Sequence, residues 1–130
     1  DRDFHLGLRH VQTPLYLARN CNVSFVGIGQ IDENAPLYVD GFIDRPALDD
    51  LMTNGAVGEL VGWAFDSDGS YLEGGTNAQI NGVRADTSGN PVICIAAGSN
   101  KYVALAAALK GKLMSGLVTD EACARHLLGR

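Results

Sequence analysis

Apolar positions along the chain fall into short runs separated by glycine-rich turns, with helical periodicity between them. Leu6, Leu8 and Val11 stand among polar neighbours as a weak helical pattern over residues 1–12. Thr13-Pro14 then supplies an N-cap and first-turn pair for a helix over 14–20. The run 23–28 is largely apolar and ends in Gly27-Ile28-Gly29, which predicts a buried parallel strand. A polar, acidic loop follows from Gln30 to Pro36. Asp44 and Pro46 open a helix whose Leu48, Leu51 and Met52 share one face, and Asn54-Gly55 ends it.

Residues 56–65 read as a second strand region interrupted by Gly58 and Gly62, Asp66 to Ser70 as a turn, and 71–84 as short or edge strands. A third strand is expected over 92–97, a helix over 100–110, and a short fourth strand at Leu117-Val118. Thr119-Asp120-Glu121 caps a last helix that Gly129 closes. Such alternation predicts an α/β fold with a parallel sheet and flanking helices. The helix over 101–110 is apolar nearly all round, with Ala104, Ala107, Ala108 and Gly111 forming a small-residue stripe that lets it lie close on a sheet.

Composition narrows the function classes. The chain has 130 residues, 46% hydrophobic and 19% charged, which fits one folded domain at most. A net charge of −5 without any basic run argues against direct nucleic-acid binding. Cys21, Cys94 and Cys123 form no CxxC pair, and His5, His10 and His126 sit at no ligand spacing to them. Buried thiols in a reducing cytosol are expected, with no disulfide framework and no metal site. No apolar stretch approaches the ~20 residues that span a bilayer, and the opening residues do not resemble a signal peptide. The absence of an initiator methionine suggests an excised fragment.

Several motifs carry candidate chemistry. After the strand at 92–97, Gly98-Ser99-Asn100-Lys101 leads into a helix, so free backbone N–H groups, a positive dipole end and an ammonium converge. An anion is the natural guest; an ordinary turn that reverses the chain is the plain alternative. Glu59 lies in the apolar, glycine-flanked stretch from Gly55 to Gly62, where a carboxylate is exposed, paired or reserved for ligand hydroxyls. Asp66-Ser67-Asp68-Gly69 superficially matches a calcium loop, yet Asn77 stands where the bidentate glutamate belongs, which leaves a polar turn. Gly27-Ile28-Gly29 lacks the third glycine of a dinucleotide fingerprint and reads as a crevice-lining turn. Ser24, Ser99 and Ser115 lack triad partners, and His126 reads as structural.

Taken in order, three blocks resemble the sugar-binding effector domain of SorC-type bacterial transcriptional regulators. They are Val26-Gly27-Ile28-Gly29; then Gly55-Ala56-Val57-Gly58-Glu59 running into Phe65-Asp66-Ser67-Asp68-Gly69; and Ile95-Ala96-Ala97-Gly98-Ser99-Asn100-Lys101 continuing to Leu117-Val118-Thr119-Asp120-Glu121. The resemblance implies a Rossmann-like parallel sheet similar to the phosphosugar isomerase and CoA-transferase group. It also implies a non-catalytic, cytoplasmic effector sensor without a cofactor, which binds a small phosphorylated sugar or polyol and thereby controls operator DNA binding. By the same resemblance Glu59 and Lys101 are effector contacts, Gly29, Gly55 and Ala56 line the crevice, and the N–H groups around Gly98, Ser99 and Asn100 hold an anion. Ala97 departs from the family, which usually has a second glycine there.

Residues 1–130 are then expected to be a single but partial effector domain, lacking the N-terminal DNA-binding domain and the first half of the sensor. A homo-oligomer, dimer or tetramer, is implied, along with apolar surface that needs a complementary segment or a partner subunit. The alternative on the same fold is a sugar-phosphate isomerase, with Glu59 as general base and Lys101 as phosphate clamp. A third is a purely structural oligomerisation segment.

Overall fold

The computed structural model describes all 130 residues. Elements follow in the order α1 (Arg2–Gly7), α2 (Arg9–Arg19), β1 (Ser24–Val26), β2 (Gly29–Gln30), α3 (Pro36–Val39), α4 (Arg45–Thr53), β3 (Ala56–Leu60), β4 (Trp63–Asp66), β5 (Val92–Ile95), α5 (Tyr102–Lys110), β6 (Gly116–Val118) and α6 (Glu121–Leu127). The apolar runs at 23–28 and 92–97 supply β1 and β5, which pair in parallel with Phe25 opposite Ile93 and Val26 opposite Cys94. β6 joins the other side of β5, Cys94 opposite Leu117, so β5 is central in a parallel sheet ordered β1-β5-β6. The α/β class with a parallel sheet and flanking helices is as expected.

The strand region at 56–65 does not join that sheet. It folds on itself as the β3–β4 hairpin because Val61 and Gly62 both take positive φ, 52° and 85°, the geometry of a tight two-residue turn. Its outer partner is β2, where Gly29 faces Glu59 and Gln30 faces Gly58, giving a second, antiparallel sheet ordered β2-β3-β4. Gln30 therefore belongs to a strand, not to the loop expected from that position.

No ladder strand forms over 71–84 either. Only a single bridge joins Phe65 and Tyr71, and Asn77–Gln79 make a short 3₁₀ turn. The buried Asn77 side chain occupies the outer edge of β4 instead: Oδ1 accepts from Ala64 N–H at 2.8 Å, and Nδ2 donates to Ala64 C=O at 2.9 Å. A side-chain amide thus does locally what another strand would do. At the start of the chain, the expected Thr13-Pro14 helix start is replaced by a longer α2 with Pro14 inside it. The chain breaks at Leu8, in extended backbone, and Leu15 anchors the helix as its one buried side chain.

Local capping sets α4 and α6 as expected. The Asp44 carboxylate accepts from Ala47 N–H at 3.0 Å, and the Asp120 carboxylate accepts from Cys123 N–H at 2.7 Å. Leu48 and Leu51 of α4 bury with Ile31, Ala35, Ala56 and Ala64. The larger core unites both sheets around α5, through Leu60, Phe65, Cys94, Ala104, Leu105, Ala107, Ala108 and Cys123. Here the small-residue stripe acts. A Cβ on Gly58 would stand 2.5 Å from Phe65 Cζ and 2.8 Å from Ala104 Cβ, and one on Gly111 would stand 2.6 Å from Gly69 Cα.

One face of the parallel sheet stays bare, with Phe25, Ile95 and Val118 at 67%, 56% and 56% exposure, and Val103 of α5 is 65% exposed. The strand expected to be buried over 23–28 is thus buried on one side only.

Gly111→Ala is expected to lower stability by about 1–3 kcal/mol through forced separation of two backbones. The midpoint of urea unfolding measures it. Gly89→Ala, with open space around the added methyl, serves as the control and should stay within about 0.5 kcal/mol of the parent.

Candidate functional site

The C-terminal ends of the three parallel strands lie along one edge of the sheet, the usual ligand position in open α/β sheets. From β1 the chain passes through Gly27-Ile28 into β2. From β5 it passes through Gly98 into the 3₁₀ turn Ser99–Lys101 and then α5, and from β6 through Thr119 to Asp120, the N-cap of α6. Gly98 sits at φ 105° and ψ 146°, a conformation open to glycine alone.

That conformation aims the Gly98 N–H at Asp120 Oδ2, 2.8 Å away, while the Gly98 carbonyl accepts from Cys123 Sγ at 3.4 Å. The other Asp120 oxygen accepts from Cys123 N–H, so one carboxylate ties the loop to the start of α6. Hydrogen bonds from the Cys123 and Gly98 N–H groups hold the Asp120 carboxyl below the usual carboxylate range. Of the three N–H groups expected to face an anion, Gly98's is therefore engaged. Those of Ser99 and Asn100 meet no acceptor in the chain, and both residues are exposed.

Lys101 closes the 3₁₀ turn, half-buried, and its Nζ donates to Gln30 Oε1 at 2.8 Å. Its charge also reaches β5: burial pushes the Cys94 thiol up, and the Lys101 ammonium opposes that shift. Gln30 is only 7% exposed, and it was missed from the sequence because a neutral amide 71 residues from its partner leaves no local signal.

Glu59 lies on the half-buried side of β3, opposite Gly29. Its Oε2 accepts from Gly62 N–H in the hairpin turn at 2.7 Å. The carboxylate also lies so close over Gly29 that a Cβ there would come within 3.0 Å of Glu59 Cδ. A side chain at position 29 would thus displace the Glu59 carboxylate, and the adjacent Gln30 holds Lys101. Because neighbouring side chains leave a strand on opposite sides, the two-residue edge strand β2 carries the acid on one side and the base on the other.

Gly55 and Ala56 stand further off. Gly55 is the exposed residue after α4, at φ 85°, and Ala56 is buried at the start of β3 beside Leu48 and Leu51. A ligand touching either as well as Glu59 would extend about 10 Å along β3.

Other groups resolve to structural roles. Asp66 Oδ1 accepts from the N–H groups of Asp68 and Ser70 at 2.9 and 3.0 Å, and Lys110 pairs with Asp68, so the acidic turn is closed by its own bonds. His126 stacks on Tyr102 with ring centroids 4.0 Å apart. No group of three or more His, Cys, Asp or Glu side chains is arranged to hold a metal ion. No helix is long and apolar enough to cross a membrane. Thr119 Oγ1, at the end of β6, is occluded without a hydrogen-bond partner. The loop–helix start thus presents one ammonium and two free N–H donors, a set suited to an anion, while the Glu59 carboxylate lies on the opposite side of β2.

Comparison with known proteins assigns the family. The family described as "Putative sugar-binding domain" matches residues 3–129. The erythritol catabolism regulatory protein EryD of Brucella abortus (strain 2308) is 30% identical over 131 residues, covering 100% of this chain and 42% of that protein. The chain thus spans about two fifths of the length of such curated relatives. Among solved structures, a domain of a possible sugar-binding transcriptional regulator from Arthrobacter aurescens TC1 superposes with a TM-score of 0.87 at 28% identity, covering 98% of this chain and 49% of that one. The full-length sorbitol operon regulator SorC from Klebsiella pneumoniae shares the fold, with a TM-score of 0.87 at 23% identity over 98% of this chain and 42% of its own. The chain belongs to the sugar-binding domain family.

Asp120 generates a pH prediction. A carboxyl held low when folded contributes stability that is complete above its unfolded value near pH 4 and is lost as pH falls through the folded value. Asp120→Asn should melt at a lower temperature than the parent at pH 7, with the difference shrinking below about pH 4. A difference that persists unchanged into acid would refute the bridge.

Proposed function

We propose that this chain is the effector-sensing part of a transcription regulator, and that it holds a phosphorylated sugar or polyol without altering it. The observation that carries this reading is the β2 junction, where Gly29 underlies the Glu59 carboxylate and Gln30 presents the Lys101 ammonium. Lys101 and the N–H groups of Ser99 and Asn100 suit the phosphate as charge-assisted donors. Glu59 suits the hydroxyls, with one oxygen already fixed by Gly62. The names of the relatives support sensing over the isomerase alternative: they are regulators, one of erythritol catabolism and one of a sorbitol operon.

In this reading the chain is one part of a larger cytoplasmic effector domain, and a separate N-terminal domain contacts operator DNA. The net charge of −5 supports that division. The effector acts by binding two arrangements of the regulator with different affinity.

Thermal-shift measurements with ribose 5-phosphate, glucose 6-phosphate and erythritol 4-phosphate test the ligand class. A matching metabolite at about 100 times its Kd adds about 2.7 kcal/mol, several degrees in melting temperature. Lys101→Ala should abolish most of that gain, and Glu59→Ala should reduce it for the polyhydroxy ligand. If none of the panel stabilises the chain, or both variants respond as the parent does, the assignment is wrong.

The bare sheet face generates a second test. In sedimentation, the chain is expected to run above its monomer mass of 13.7 kDa, as dimer or tetramer. Phe25→Ser with Ile95→Ser should shift it toward monomer. A stable, monodisperse parent monomer would contradict the need for a partner surface.

A further inference from the structure

The end of the parallel sheet away from the effector crevice holds a cavity of about 1010 Å³, the upper end of the range that metabolites occupy. It is lined by residues just ahead of the three parallel strands, including Cys21, Asn90 and Leu113. In a chain of net charge −5, its charge is anomalous. Arg2, Arg19, Arg84 and Lys112 all line it, four of the ten cationic side chains, against the single carboxylate of Asp86. One oxygen of Asp86 accepts from Ser88 N–H at 2.9 Å and from Ser88 Oγ at 2.6 Å, bonds that hold its carboxyl below the usual range with a smaller contribution from the Arg84 charge. None of the four cations pairs with a carboxylate, whereas Arg45, Lys110 and Arg125 elsewhere all do.

A second observation stands apart from charge. The Arg84 guanidinium lies over two rings of the cavity wall, 4.8 Å from the Tyr71 centroid and 5.7 Å from that of Trp63. The polar atoms of those same rings, Trp63 Nε1 and Tyr71 O–H, are occluded and have no hydrogen-bond partner. Arg2 Nε already donates to the Ile80 carbonyl at 2.8 Å, but the cations of this one space have no carboxylate partner and call for an anionic guest. Four positive groups favour a dianion over a carboxylate, and the aromatic wall favours an apolar or planar body attached to it.

We propose that this cavity is a second ligand site, for an organic phosphate monoester, with Arg84 as its main anion contact and Trp63 and Tyr71 as its wall. It shares no lining residue with the proposed effector site, so the two are separable by mutation.

Trp63 is the only tryptophan of the chain, so its fluorescence reports this cavity directly. Titrating the chain with phenyl phosphate, at a constant ionic strength of about 0.15 M, is expected to give a saturable change in tryptophan emission. Arg84→Gln should raise the half-saturating concentration at least about tenfold. Lys112→Gln should raise it by a smaller factor, and Arg45→Gln, outside the cavity, should leave it unchanged. Far-UV spectra and melting temperatures of the unliganded variants control for folding. A change that does not saturate, an equal change with uncharged phenol, or half-saturation unaltered in both Arg84→Gln and Lys112→Gln would overturn the proposal.

Discussion

Close approach of α5 to the antiparallel hairpin and the turn that follows it is the constraint on which the rest of this fold depends. Side chains normally fill the gap between a helix and a sheet, yet here alanine and glycine occupy the contact. Ala104 meets Gly58, and Gly111 meets Gly69 backbone to backbone. Larger residues at these positions would push the antiparallel hairpin away from the parallel strands and open the core that Phe65, Cys94 and Leu105 share. The apolar character of α5 follows from this position, since Ala104, Leu105, Ala107 and Ala108 are all buried within two turns.

The candidate site is a by-product of that packing. With α5 seated, its first turn is brought beside β2, and Lys101 reaches Gln30. The loop before it is held from the other side by Asp120, which also caps α6. Three separate strand ends are thereby fastened through side chains and not through sheet pairing alone. Donors held this way are in place before any ligand arrives.

Features written in adjacent residues were legible in the sequence. Asp44 before Arg45-Pro46, and Asp120 before Glu121, mark helix starts through contacts spanning three residues, so local chemistry decides them. Glu59 and Lys101 stood out because charge in an apolar or loop-to-helix setting needs a reason. What escaped notice depends on partners far along the chain. β2 is two residues long and exists only because β3 lies beside it. Asn77 substitutes for a strand through a side-chain amide. The β3–β4 turn puts a β-branched residue where asparagine or glycine is usual, so propensity pointed the wrong way.

That turn has a consequence for energetics. Val61 at φ 52° carries backbone strain of about 1–2 kcal/mol, and the following N–H, on Gly62, is held by the Glu59 carboxylate. In the proposed sensing role, an effector that draws on Glu59 competes with the hairpin for it. Its affinity then reflects the elastic state of the turn as well as the contacts made, and sequence drift at position 61 would retune sensitivity without touching the ligand.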